Sequence, residues 1–224
     1  MDERKRQDPP QIFNIAHRRR KKSIPSYRSP GYVTPRKGND MDNTEFFDPL
    51  LGGRVQVYTG NGKGKTTAAL GLAVRAACAG YRVFIGQFMK GRDYGELRLP
   101  EYFPGLITLV QFGTPRFICQ GETPGSEDLE GAARGVTRMI SAVSGDDYRL
   151  VIADELNVTV HLGLLTPADA MRIVYARAPG VELVITGRHA PREILDSADL
   201  ITEMNEVRHY YGTERLPARK GIEF

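Results

Sequence analysis

The sequence predicts an α/β fold: a mostly parallel sheet with helices on both faces. Three observations predict it. From residue 54 onward, short apolar runs alternate with longer stretches of helical periodicity. The runs are nearly continuous in apolar residues, as strands covered on both faces require. A glycine-rich segment, Thr59 to Gly64, joins the first run to the first helical stretch. With 224 residues the chain is long enough for one large domain with a substantial core plus an extension.

The extension comes first. Residues 1–50 contain the basic run Arg18 to Lys22, several prolines and glycines, and no sustained apolar period. Such a segment cannot bury enough surface to fold alone. Residues 1–40 carry a net charge of +7, which leaves −3 for residues 41–224. The overall +4 is therefore a property of the extension, and nucleic acid is not an expected partner of the domain. A start at Met41 would remove most of this segment. The expected division is residues 1–50 as a basic, disordered extension and 51–224 as the domain.

The strands expected in order are Arg54–Thr59, Arg82–Phe88, Ile107–Phe112, Leu150–Ala153 and Leu183–Thr186, with an edge strand at Leu200–Glu203. Between them, Lys65–Ala79 is rich in alanine and leucine and stops at Gly80, a suitable residue just past a helix end. Asp128–Val143 places Leu129, Ala132, Ala133, Val136, Met139, Ile140 and Val143 at a 3.6-residue period. Thr166 and Pro167 supply a cap and a first-turn proline for Ala168–Ala178. No apolar run reaches the roughly 18 residues of a membrane helix, and Met1 is followed by charge and proline instead of a signal core. A cytoplasmic protein without a membrane partner is expected. Cys78 and Cys119 have no metal-type spacing and read as ordinary small apolar residues.

The chemistry starts at the first loop. Thr59-Gly60-Asn61-Gly62-Lys63-Gly64 lies between a strand and a helix that opens with Lys65-Thr66-Thr67. Glycines let backbone N–H groups curl around phosphate oxygens, and the helix start adds unpaired N–H groups and a positive dipole end. Lys65 is placed to bridge phosphates and the Thr66 hydroxyl to hold a magnesium ion. The fold class is thereby narrowed to a RecA-like P-loop NTPase fold that binds a nucleotide triphosphate, with ATP expected. The usual pattern has glycine where this chain has Thr59. Lys63 contacts phosphate or faces solvent.

A second feature is Arg149 to Glu155, an apolar strand ending in Asp154 and Glu155. Ligands of open parallel sheets sit beyond the carboxyl ends of the strands, so one acid should reach the metal. Adjacent residues point to opposite sides of an extended chain, which gives the two acids different work. Arg188, after the strand ending at Thr186, clamps phosphate or pairs with one of these acids. His161, His189 and His209 receive no chemistry.

The chain resembles the P-loop ATP:corrinoid adenosyltransferases, also called cob(I)alamin or cob(I)yrinic acid a,c-diamide adenosyltransferases. The resemblance rests on VYTGNGKGKTT from Val57, QFMKG ending at Gly91, YGE at Tyr94–Glu96, VIADELN at Val151–Asn157, VITGR through ADLITEM at Val184–Met204, VRHYY and the terminal GIEF. It implies transfer of the 5′-deoxyadenosyl group of ATP to a reduced cob(I) corrinoid, with triphosphate as the leaving group, in cobalamin biosynthesis or salvage. It also implies Mg2+ or Mn2+, an electron donor such as a flavoprotein, and a homodimer; the family's N-terminal segment covers a partner's corrin site, and residues 1–50 here do not match that segment. The nucleotide would lie reversed, with its α-phosphate where the γ-phosphate usually sits.

On this reading Lys65, Thr66 and Glu155 are catalytic. Gly60, Asn61, Gly62, Lys63, Gly64, Lys65, Thr66, Thr67 and Arg188 bind substrate, and Thr66, Asp154 and Glu155 hold the metal. Enterobacterial members use a Phe and a Trp after the third strand to displace the corrinoid's lower base. This chain has no Trp, and Phe117 is the candidate for that packing role. The rival class is an ATP-hydrolysing or nucleotide-switched module whose basic tail binds RNA or protein. A small-molecule kinase would need an arginine-bearing lid, and the surroundings of Arg92 and Arg116 do not resemble one.

Overall fold

The computed structural model describes residues 52–116, 118 and 121–224. Phe117, Cys119 and the extension of residues 1–50 lie outside the described residues. The strands β1 (Val55–Thr59), β2 (Val83–Gln87), β3 (Ile107–Gln111), β4 (Leu150–Asp154), β5 (Glu182–Thr186) and β6 (Leu200–Glu203) form one sheet in the order β3-β2-β4-β5-β1-β6. Every neighbouring pair is parallel. The expected strands are all present, and their ends differ by at most one residue. The difference that matters is at β4, which continues through Asp154, level with Gln87 of β2.

Alternate residues of β2, β4 and β5 feed two cores, while β6 is exposed throughout. Val83, Ile85, Ile107, Leu150, Ile152 and Val184 pack under Ala69, Ala73 and Ala77 of α1 (Lys65–Cys78). Their neighbours Phe84, Val151, Ala153, Leu183 and Ile185 pack on the opposite face with Val136 and Met139 of α3 (Ser126–Ser144) and Ile173 of α5 (Pro167–Tyr175). Full burial on both faces removes the polar alternation of a half-exposed strand, which is why the runs read as continuous. The end of α1 follows expectation: Gly80 takes φ +84° and its N–H donates to Ala77 O. Cys78 is exposed at that end.

Two helices depart from the expected pattern. Leu129 and Ala133 of α3 are exposed, and the inward face passes through Gly131 and Gly135 instead. A Cβ on Gly131 would lie 2.2 Å from Phe112 O, and one on Gly135 2.5 Å from the Phe88 ring. The helix sits so close to the sheet that these positions admit no side chain. Helix α5 starts as expected, Asp169 N–H donating to the Thr166 hydroxyl and Thr166 N–H to the Asp169 carboxylate. It ends at Tyr175, short of Ala178, whose N–H is drawn to Val143 O at the end of α3. The remaining helices are α2 (Leu99–Tyr102), α4 (Leu156–His161), α6 (Arg192–Asp196) and α7 (Tyr210–Glu214), with a 3-10 turn at Gly95–Arg98 before α2. Each is under two turns, too short to show a period in sequence. Among the described residues no helix is long and apolar enough to cross a membrane.

Candidate active site

The phosphate loop emerges from β1, and its first position is settled by the sheet. Thr59 is still in the strand, paired with Glu203 of β6, and its carbonyl accepts from Met204 N–H. A β-branched residue suits a strand position, so the left-handed turn begins one residue later at Gly60, φ +89°. A Cβ on Gly60 would come 2.5 Å from Met204 O, and one on Gly62 2.8 Å from the same atom. These glycines therefore answer to packing against the residue after β6. Gly62 N–H donates to Met204 O at 2.6 Å, which directs it away from the interior of the loop.

Lys65 opens α1 and is only 6% exposed. Its ammonium donates to Gly60 O and Gly62 O, each at 2.7 Å, so the side chain folds back across the loop. Burial and the nearby Arg188 push its pKa down, against the pull of Glu155. The next residue, Thr66, donates its hydroxyl to Asp154 Oδ1 at 2.8 Å. Asn61 and Thr67 are exposed, and Lys63 pairs with Glu223 near the chain's C-terminal end, Nζ to Oε1 3.2 Å.

The two adjacent acids have different surroundings, because the strand ends at Asp154 and the backbone turns at Glu155. Asp154, 1% exposed at the end of β4, accepts the Thr66 and Thr186 hydroxyls on Oδ1 and the Gln87 amide and Lys90 ammonium on Oδ2. Glu155 turns into a left-handed conformation, φ +61°, and caps α4, its N–H donating to the Thr186 hydroxyl. Burial and the charge on Asp154 push its pKa up, partly offset by Lys90, Lys65 and Arg188. The Thr186 hydroxyl thus links both acids. It can do so because β5 lies between β1 and β4.

The cation paired with Asp154 is Lys90, at 2.9 Å, and not Arg188. Lys90 also pairs with Glu96 Oε1 at 3.1 Å and lies 5.0 Å from the Tyr94 ring centroid. Burial disfavours its charge, but Asp154 and Glu96 outweigh that and hold the ammonium above its ordinary pKa. Arg188 is exposed, within electrostatic reach of Lys65 and Glu155. Lys90, Gln87, Glu96 and Thr186 carry no role in the sequence reading. The signal for the first three was present in the spacing of QFMKG and YGE, which bring a lysine and a glutamate to the end of β2. His161 and His189 stack at 4.0 Å outside this network, and His209 Nδ1 accepts Tyr211 N–H.

Chemically, the site joins a cationic loop to a buried acid through one hydroxyl. Among the described residues no three His, Cys, Asp or Glu side chains converge as a metal cage. A hard cation would find only oxygen donors here, the Thr66 hydroxyl and the Asp154 and Glu155 carboxylates, with coordination left over for phosphate oxygens. That donor set fits magnesium or manganese.

Comparison with known proteins places the chain in a family. The family model for the ATP:corrinoid adenosyltransferases BtuR/CobO/CobP matches residues 52–224. An uncharacterized protein of Nostoc sp. is 34% identical over 201 residues, 84% of this chain and 52% of that protein, so the chain spans about half its length. The corrinoid adenosyltransferase of Pseudomonas aeruginosa is 32% identical over 77% of this chain and 84% of its own length. The corrinoid adenosyltransferase CobA of Salmonella typhimurium is 34% identical over 77% of this chain and 86% of its own.

Proposed function

Because the chain belongs to the ATP:corrinoid adenosyltransferase family, we propose that it transfers the 5′-deoxyadenosyl group of ATP to the cobalt of a reduced corrinoid and releases triphosphate. The observation that carries the reading is the Thr66–Asp154 hydrogen bond of 2.8 Å, which joins the loop's helix to the acidic strand end beside buried Lys65. Cobalt(I) supplies the electron pair for the new Co–C5′ bond, and the C5′–O bond breaks with its electrons passing to triphosphate. The protein needs no nucleophile of its own. Its work is to hold C5′ in line with cobalt and to stabilise charge accumulating on the leaving group.

Each part of the site has a place in that work. Lys65 exchanges the Gly60 and Gly62 carbonyls for phosphate oxygens, and the amides of Asn61, Lys63, Gly64 and the start of α1 surround the same anion. Lys63 and Arg188 approach the triphosphate from its flanks. Thr66, Asp154 and Glu155 would hold a divalent cation, which when bound supplies positive charge to the triphosphate oxygens. The active species is a homodimer, and a flavoprotein-type donor reduces the cobalt.

The test is incubation with ATP, magnesium or manganese, and chemically reduced corrinoid. The expected products are an adenosylated corrinoid and triphosphate in equal amounts. ADP and phosphate without alkylated corrinoid would instead identify an ATP-hydrolysing module.

A further inference from the structure

Asp154 has its acceptor sites filled by four partners, and one of them is a cation. Its Oδ1 is occupied by two hydroxyls from different elements, Thr66 and Thr186, at 2.8 and 2.7 Å. Its Oδ2 faces Lys90 Nζ at 2.9 Å and Gln87 Nε2 at 3.2 Å. Both groups have a second acceptor ready: Gln87 Nε2 lies 3.0 Å and Lys90 Nζ 3.1 Å from the same Glu96 Oε1. Lys90 therefore sits between two carboxylates, each pair 13% exposed or less. An ammonium placed that way can release one acceptor without becoming an unpaired buried charge.

The backbone beneath Lys90 is held by close contacts of its own. Gly113 N–H donates to Lys90 O at 2.9 Å, and the loops after β2 and β3 cross in backbone contact. A Cβ on Gly113 would come 2.5 Å from Lys90 N, and one on Gly91 2.4 Å from Thr114 C. The anchor is rigid, the four-carbon stem is flexible, and the head is a compact point charge. A divalent cation on Asp154 and an ammonium on the same carboxylate oxygen would repel strongly at such separations.

We propose that Lys90 is the resident counter-ion of Asp154, holding Oδ2 until a divalent cation arrives and then yielding that oxygen while Glu96 keeps the ammonium. The inference rests on the reading that Asp154 helps hold a divalent cation. Lys90 is here a positioning residue: it keeps the Asp154 carboxylate aligned before the cation binds, and its release couples cation loading to the 88–98 segment.

Two measurements on the full chain without nucleotide test it. The first is Mn2+ binding followed by electron paramagnetic resonance, with Asp154→Asn marking the contribution of the site. Lys90→Met should bind Mn2+ roughly tenfold tighter or more than wild type, because a competing charge has gone, whereas Glu96→Gln should bind it more weakly. The second is nitrogen-15 NMR of lysine ammonium groups, in which the Lys90 signal is identified by its loss in Lys90→Met or its displacement in Glu96→Gln. That signal should move in step with Mg2+ titration, a response that a fixed structural ion pair would not give. An unmoved signal at saturating Mg2+, or Lys90→Met binding Mn2+ no tighter than wild type, overturns the exchange alone. Equal Mn2+ binding by wild type and Asp154→Asn overturns the metal reading and the exchange together. If Lys90→Met does not fold, the wild-type and Glu96→Gln spectra decide.

Discussion

Lys65 and Thr66 are neighbours with separable duties. Lys65 is buried with its ammonium on two loop carbonyls, so its removal takes charge from the loop and leaves the sheet's own hydrogen bonds in place. Lys65→Ala and Thr66→Ala should each lower corrinoid adenosylation by roughly a hundredfold or more while thermal unfolding stays cooperative; near-normal turnover in either variant would refute the loop assignment. Thr186 has a different character. Its hydroxyl donates to Asp154 in the interior and accepts from Glu155 N–H in a partly buried bond. Thr186→Val keeps the shape and strands those partners, so a stability loss of about 1–3 kcal/mol is expected in denaturant titration, together with weaker Mn2+ binding. Such a residue is not legible in a sequence. A threonine at a strand end looks like any other until the strand order shows that β5 separates β1 from β4.

Among elements, α3 governs how the flank of the site is held. Asp128 in its first turn is 5% exposed, accepts the Thr114 hydroxyl at 2.7 Å and Gly125 N–H at 3.0 Å, and faces Arg116 at 3.5 Å. These contacts tie the loop after β3 to the helix. The Thr114 hydrogen bond foremost, then Gly125 N–H and Arg116, hold the Asp128 pKa below its ordinary value despite burial. A depressed carboxyl binds fewer protons folded than unfolded, so its stabilisation is complete above the ordinary aspartate range and is lost as pH falls through the folded value. Wild type should therefore lose part of its stability below about pH 4, and Asp128→Asn should show a flatter acid limb and a lower plateau in pH-dependent urea denaturation. Equal acid limbs would remove Asp128 from this role. The helix itself was legible in sequence because its period is long. Its inward face was misread at Leu129 and Ala133, since the helix approaches Phe112 and Phe88 along glycines, and a hydrophobicity pattern gives glycine no weight.

Over the whole molecule, parallel order brings the carboxyl ends of β1, β2, β4 and β5 to one edge, and the chain's last residues return to it. Glu223 accepts from Lys63 and Arg219 and from the Tyr210 hydroxyl, and Lys63 also donates to Ile222 O at 3.4 Å. Strands, loop and acids could be placed at that edge from sequence because each is a local pattern with a known polarity. The return of GIEF could not, since pairing residues 63 and 223 is a matter of tertiary path and not of period or composition. This closure has a consequence for nucleotide binding. A carboxylate that claims Lys63 competes with any phosphate for the same ammonium, and the pair is exposed enough to feel salt, Lys63 being 43% exposed. Glu223→Gln should lower the Kd for Mg-ATP severalfold in low salt, and the advantage over wild type should vanish above about 0.5 M salt, where the screening length is only a few ångströms. Lys63→Gln should bind more weakly than wild type and should be insensitive to a second change at Glu223. Titration calorimetry of the four proteins forms a double-mutant cycle. A coupling of zero between positions 63 and 223 would mean that the tail packs beside the loop without restraining it.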